Sequence, residues 1–163
     1  MVSASCSIFI QIGDGAIVCS DAVYDAPYTH IWWPDQGEYA NQTYFLTDTN
    51  VSETLHFERR ERTTEETALF SDGLQNLVLC YSNKSVHVPF FEKMFAPIRQ
   101  ASHGYSQHLS DQLSLFLNSE RVNARTDDDK SLVLVSKRSA PPTVDTPKRS
   151  EHEATIEQSN GVQ

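Results

Sequence analysis

The chain has few cysteines, no cysteine pair at metal-binding spacing and no long uninterrupted apolar run. Cys6, Cys19 and Cys80 are odd in number and lack CxxC spacing, which indicates neither a disulfide framework nor a zinc site. The apolar run at the start has no basic flank and is interrupted by Gln11, so neither a signal peptide nor a membrane span is expected. These absences predict a protein of the reducing cytoplasm.

Basic residues are also few. The 13 Lys and Arg residues stand against 22 Asp and Glu residues, which gives a net charge of −9 and a pI near 5.0. Nucleic acids and anionic membranes bind proteins through a basic surface, so this balance argues against both as partners. An acidic metal-binding site agrees better with the composition, although many soluble proteins are simply acidic.

The length of the chain predicts one domain. With 163 residues and 39% hydrophobic content, it is long enough for a single core and too short for two comfortable domains. We place the domain at residues 1–137. Beyond it, prolines stand among Ser, Thr, Glu and Lys, and few large apolar residues remain. Such a segment cannot bury enough surface to offset its ordering entropy, so residues 138–163 are predicted to be a disordered tail.

Short apolar runs predict the strands. Residues 7–11 and 16–19 flank a Gly-Asp-Gly turn signal, which predicts a β-hairpin with Asp14 at its tip. Alternating, aromatic or apolar runs predict further strands at residues 29–33, 55–59, 67–70 and 131–136. The last run is apolar enough to be expected at the centre of a sheet.

Three segments show helical periodicity. Apolar residues recur at helical spacing over 74–80, directly after Gly73, which predicts a sharp turn into a short helix. Residues 89–99 begin with Pro and are expected to end near Pro97, and residues 106–118 form a clear amphipathic stripe. The polar segment 121–126 and the aromatic-rich segment 39–46 are predicted to be loops.

Acidic residues lie at the ends of predicted strands. Asp72 directly follows the strand at 67–70, and Asp128 and Asp129 lie just before the strand at 131–136. Asp14 has a similar place between two apolar runs. A carboxylate at the end of a buried strand is held on a rigid support, and carboxylates from neighbouring strands suit a hard cation.

Each of these acids also has an ordinary structural interpretation. Asp14 in a Gly-Asp-Gly turn is common turn chemistry, and Asp72 is a suitable N-cap for the helix that follows. The acidic run 127–129 is typical of a solvated loop. Only their joint occurrence, in this order, favours a metal site over the three separate alternatives.

The segments 70–74, 126–134 and 11–16, taken together, resemble the C-terminal half of the metal-dependent type 2C (PPM) protein phosphatases, in the manner of the bacterial branch. The resemblance covers about residues 5–137. It implies an α+β fold, a layered antiparallel β-sandwich flanked by helices. It also implies two Mg²⁺ or Mn²⁺ ions that activate a water to attack a phosphoserine or phosphothreonine protein substrate.

By this resemblance, Asp72 and Asp128 are metal ligands and Asp14 helps to hold an additional, weaker ion. Asp129 stands where the family usually has Asn, so it either substitutes for Asp128 or adds negative potential. The resemblance assigns no catalytic side chain to this chain, because the phosphate-binding Arg and the bridging Asp belong to the N-terminal half.

Only 13 residues precede Asp14, and none of the motifs of the family's N-terminal half is found among them. We therefore expect a truncated or split phosphatase domain that is inactive alone and requires a separately encoded N-terminal half. The alternative is a phosphatase-derived remnant or binding module without catalysis. In either case, apolar sheet faces are expected to be exposed unless another polypeptide covers them.

Overall fold

A computed structural model describes residues 1–3, 5–20, 26–34 and 44–138. Most of the loop predicted at 39–46 and the predicted tail from residue 139 onward lie outside the described residues. The helices and strands follow in chain order: β1 Ser7–Gln11, β2 Ala16–Ser20, β3 Tyr28–His30, α1 Val51–Thr54, β4 His56–Arg60, β5 Glu66–Phe70, a 3₁₀ turn Asp72–Leu74, α2 Gln75–Val78, β6 Leu79–Cys80, β7 Ser85–Val86, α3 Val88–Gln100, α4 Gln107–Leu117, α5 Glu120–Asn123 and β8 Leu132–Ser136.

The strands form antiparallel sheets. Four of them make the main sheet in the order β3-β2-β5-β8, while β1 pairs with β4 and β6 pairs with β7. The mixture of helices and antiparallel strands confirms the α+β class. In the part of the chain that the structure describes, no helix has the length and apolar character needed to cross a membrane.

The predicted hairpin of residues 7–11 and 16–19 is wrong, although both strands exist. β1 pairs with β4, whereas β2 pairs with β3 and β5. The reason is that β2 is buried on both faces: Val18 packs towards the helices, and Ile17 packs in a separate cluster with Phe9 of β1. β1 therefore covers a face of the main sheet, and the segment around Asp14 connects two layers.

Helices α3 and α4 cover the other face of the main sheet. Phe91 and Phe95 of α3 are fully buried in the larger core cluster. α3 continues past Pro97 to Gln100, so the predicted stop at this proline is three residues early. The first residue of the predicted tail, Arg138, donates hydrogen bonds to carbonyl groups at the end of α3, including that of Ala101 at 3.0 Å.

Three smaller predictions also differ from the structure. The short helix after Gly73 ends at Val78, because the next two residues join the β6–β7 hairpin. The predicted loop 121–126 contains most of α5, whose Val122 is buried. β8 lies at an edge of the main sheet rather than at its centre, and Val133 and Val135 are 55% and 50% exposed.

An ion pair joins α3 to the main sheet. Arg99 donates from Nε to Glu66 Oε1 at 2.6 Å and from Nη2 to Glu66 Oε2 at 2.8 Å. The Tyr28 hydroxyl donates to the same carboxylate, and burial together with this acidic neighbour raises the pKa of Tyr28. Glu66 is buried, so hydrogen bonds from Arg99 and Tyr28 replace the water that would otherwise solvate its carboxylate.

We expect Arg99→Met to lower the free energy of unfolding by about 2 kcal/mol, since it leaves a buried carboxylate without its cation. Urea denaturation measures this change. Arg59→Met is the matched control, because Arg59 pairs with Glu61 at 2.6 Å on an exposed surface. The control should change stability by less than about 0.5 kcal/mol, and equal effects of the two substitutions would contradict the role given to Glu66.

Candidate functional site

The first acidic turn lies where β5 ends. Ser71 precedes a 3₁₀ turn that begins at Asp72. Asp72 is thus inside the turn rather than its N-cap, and its Oδ1 accepts a hydrogen bond from the Gly73 N–H at 2.8 Å. This bond leaves the rest of the exposed carboxylate available to solvent.

The second acidic turn lies just before β8, and it has a similar local bond. Asp128 Oδ1 accepts from the Asp129 N–H at 2.7 Å. Ser71 joins the two turns: its hydroxyl donates to the Asp129 carbonyl at 3.1 Å and accepts from the Ser131 N–H at 3.0 Å. The pairing of β5 with β8 and this serine place the two turns side by side.

Gly73 allows the close approach of the two turns. A Cβ added at this position would lie 2.3 Å from the Asp129 carbonyl oxygen and 3.3 Å from Asp128 Cβ. The first distance is far below any van der Waals contact between carbon and oxygen. Any side chain at residue 73 would therefore push the two acidic turns apart.

Glutamine side chains hold the turn around Asp14. Gln11 Nε2 donates to the Gly15 carbonyl at 2.8 Å, and Gln75 Nε2 donates to the Asp14 carbonyl. The Oε1 of Gln75 accepts from the Tyr81 hydroxyl at 2.7 Å, so both polar ends of this buried amide have partners. Sequence reasoning missed Gln75, because a glutamine in a short apolar helix gives no distinctive signal.

Hydrogen bonding and packing place Asp14 and Asp128 near the Asp72 turn: Gln75, just after that turn, donates to the Asp14 carbonyl, and Asp128 Cβ lies next to Gly73. The pKa of the Asp72 carboxyl is raised by partial burial first, then by the negative charge of Asp14, and to a smaller extent by that of Asp128. The hydrogen bond from the Gly73 N–H opposes this shift. Like charges that raise a pKa in this way also attract a cation.

The structure thus brings together Asp14, Asp72 and Asp128. Asp129 contacts this region through its backbone carbonyl, which accepts from the Ser71 hydroxyl. Its carboxylate is not among the charges that shift the Asp72 pKa. Carboxylate oxygens are suitable donors for a hard divalent cation. Within residues 1–3, 5–20, 26–34 and 44–138, however, no group of three or more His, Cys, Asp or Glu side chains is able to hold a metal ion. The carboxylates of Asp14, Asp72 and Asp128 therefore suit a divalent cation chemically, but these three do not form a group that is able to hold one.

Comparison with known proteins decides the family. Residues 1–117 match the family model described as protein phosphatase 2C. The chain belongs to the protein phosphatase 2C family. This membership confirms the resemblance to PPM-type phosphatases. Asp14 and Asp72 lie within the matched residues, whereas Asp128 and Asp129 lie beyond them.

One curated relative of this protein phosphatase 2C chain is serine/threonine-protein phosphatase 3 of Escherichia coli (strain K12). The two are 38% identical over 129 residues, which make up 78% of this chain and 49% of the relative. The chain therefore spans about half the length of that protein. No solved structure matches the chain.

In this protein phosphatase 2C chain, we expect Gly73→Ala to lower the free energy of unfolding by about 2 kcal/mol, because the new Cβ would overlap the Asp129 carbonyl. Gly15→Ala is the control, since its Cβ would lie 3.1 Å from the Phe70 carbonyl oxygen. A loss below about 1 kcal/mol is expected there. Thermal or urea unfolding measures both, and a Gly73→Ala variant as stable as the wild type would refute the close contact.

Proposed function

We propose that this chain is part of a metal-dependent serine/threonine protein phosphatase domain, which hydrolyses a phosphoester with a metal-activated water. The observation that carries the proposal is that the Asp72 and Asp128 turns lie side by side, with the Asp14 turn hydrogen-bonded to Gln75 next to them. Membership of the protein phosphatase 2C family and the name of the bacterial relative support it. The substrate class would be proteins that carry phosphoserine or phosphothreonine.

Asp72 and Asp128 are the proposed principal ligands of Mg²⁺ or Mn²⁺. Asp14 would help to hold a further ion, and Asp129 would add negative potential beside them. Such ions, when bound, lower the pKa of water and stabilise charge on phosphoryl oxygens. The contribution of this chain is to carry Asp72 and Asp128 on two turns that Ser71 and Gly73 hold side by side.

The proposed site needs further ligands from another polypeptide segment. We propose that these residues correspond to the C-terminal part of a phosphatase domain, a layered β-sandwich flanked by helices, and that the N-terminal part complements it. Two observations support this proposal. The described residues contain no group of three or more acids, His or Cys that is able to hold a metal ion, and the chain spans about half of its relative. The packing of β1 on the main sheet agrees with a sandwich.

A phosphatase-derived module without catalysis is the second candidate. The observation that favours it is the lack of a metal-holding group among the residues described above. The coding sequence next to the gene distinguishes the two candidates. A neighbouring reading frame that encodes an Arg-x-x-x-Glu-Asp-like motif and an Asp-Gly-x-Gly-like motif favours the split enzyme, and its absence favours the module.

We expect Asp72→Asn and Asp128→Asn each to weaken Mn²⁺ binding about tenfold, since each removes one anionic oxygen ligand. Isothermal titration calorimetry measures the dissociation constants. Asp111→Asn is the control, because Asp111 is an exposed acid on α4 that accepts from Gln107 at 2.8 Å. Unchanged binding in both site variants would show that the ligands are wrongly assigned.

We expect the purified chain to show little or no Mn²⁺-dependent hydrolysis of an aryl phosphate, because the proposal assigns further metal ligands to the N-terminal part. Addition of the polypeptide that carries the N-terminal motifs should raise turnover, and Asp72→Asn should abolish the increase. The assay measures release of the phenolate with and without Mn²⁺. Robust turnover by the chain alone would overturn the need for a complementing segment.

A further inference from the structure

The outer edge of β8 is open for strand pairing. Lys137 donates its N–H to the Glu65 carbonyl at 2.7 Å, and the Ser131 carbonyl accepts from Ser71 at 3.2 Å. Backbone groups alternate in direction along a strand, so those of residues 132, 134 and 136 point away from β5. Among the described residues, no strand pairs with β8 on that side.

Apolar side chains lie on both faces of this edge. Val133 and Val135 are exposed on one face, next to Leu69, which is 41% exposed. On the other face, Leu132 and Leu134 pack with the core, and all of β8 lines a groove of about 700 Å³ together with α3 and α4. An incoming strand with apolar side chains would cover both faces. β8 has no proline and no charged residue within it, and these are two of the features that protect an edge strand from pairing.

The charges that flank β8 are of opposite sign at its two ends. Asp128 and Asp129 precede the strand, and Lys137 and Arg138 follow it. Antiparallel pairing of two identical strands brings the acidic end of each beside the basic end of the other. Arg138 is bound to carbonyls at the end of α3, whereas Lys137 has only a 3.8 Å ion pair with Glu65 in its own chain. Through Asp129 and Lys137, the strand is therefore complementary to itself in charge, despite the net charge of −9 on the chain.

We propose that β8 pairs with β8 of a second copy in a symmetric antiparallel dimer that joins two four-stranded sheets into one. A register centred on Val133 places Leu132 opposite the partner's Leu134 and Asp129 opposite the partner's Lys137. In this register the backbone groups of residues 132 and 134, which point away from β5, form the hydrogen bonds between the two copies. A register centred on Leu134 would place Lys130 opposite the partner's Arg138, and like charges oppose it. This inference does not depend on the proposed function.

Sedimentation equilibrium on the full chain tests the dimer and its charge pairing. We expect a reversible dimer whose dissociation constant rises about fivefold in Lys137→Glu, since two symmetry-related charge pairs are lost. Lys130→Glu makes the same charge change on the same segment, but opposite the partner's Ser136, and should have a smaller effect. The double variant Asp129→Lys with Lys137→Glu should restore the wild-type constant. A monomer at every concentration, or equal effects of the two single variants, would overturn the proposal.

Cysteine cross-linking tests the register. In a Cys80→Ser background, which removes the exposed native thiol, Val133→Cys should form a disulfide-linked dimer under mild oxidation. Val135→Cys is the matched control, since residue 135 lies on the same face but far from its symmetry mate. Circular dichroism confirms that both variants are folded. Faster cross-linking through residue 135 than through residue 133 would overturn the proposed pairing, as would a dimer that neither cysteine cross-links.

Discussion

The contact between Gly73 and the carbonyl of Asp129 determines how the acidic end of the main sheet is built. The backbone of the first turn lies so close to the second that no Cβ fits between them. Ser71 then uses both its donor and its acceptor to connect the same two turns. Asp72 and Asp128 are therefore neighbours because of the backbone geometry of the two turns, although their side chains carry like charges.

That geometry has an electrostatic cost. Asp14, Asp72 and Asp128 are close enough for their charges to raise the pKa of Asp72, although each remains exposed. Such an arrangement contributes nothing to stability by itself, since like charges repel. A bound cation would relieve the repulsion, which is the physical basis for the proposed metal site.

The strands of the main sheet differ in how many of their faces are covered by other elements. β2 is covered on one face by β1 and on the other by the helices, and the Arg99–Glu66 ion pair fastens α3 to the sheet. β8 receives cover from the helices alone and has an open edge. The same strand therefore closes the core on one face and leaves apolar side chains exposed on the other.

The sequence by itself determined the positions of most strands, two helices at 89–99 and 106–118 that lie close to the observed ones, and the acids that follow or precede strands. Local periodicity and turn chemistry are enough for these features, because they depend on neighbouring residues. It did not determine that β1 and β2 lie in different layers, that β8 is an edge strand, or that Gln75 holds the Asp14 turn. Only the tertiary structure decided these points, because strand partners and buried hydrogen bonds depend on residues far apart in the chain.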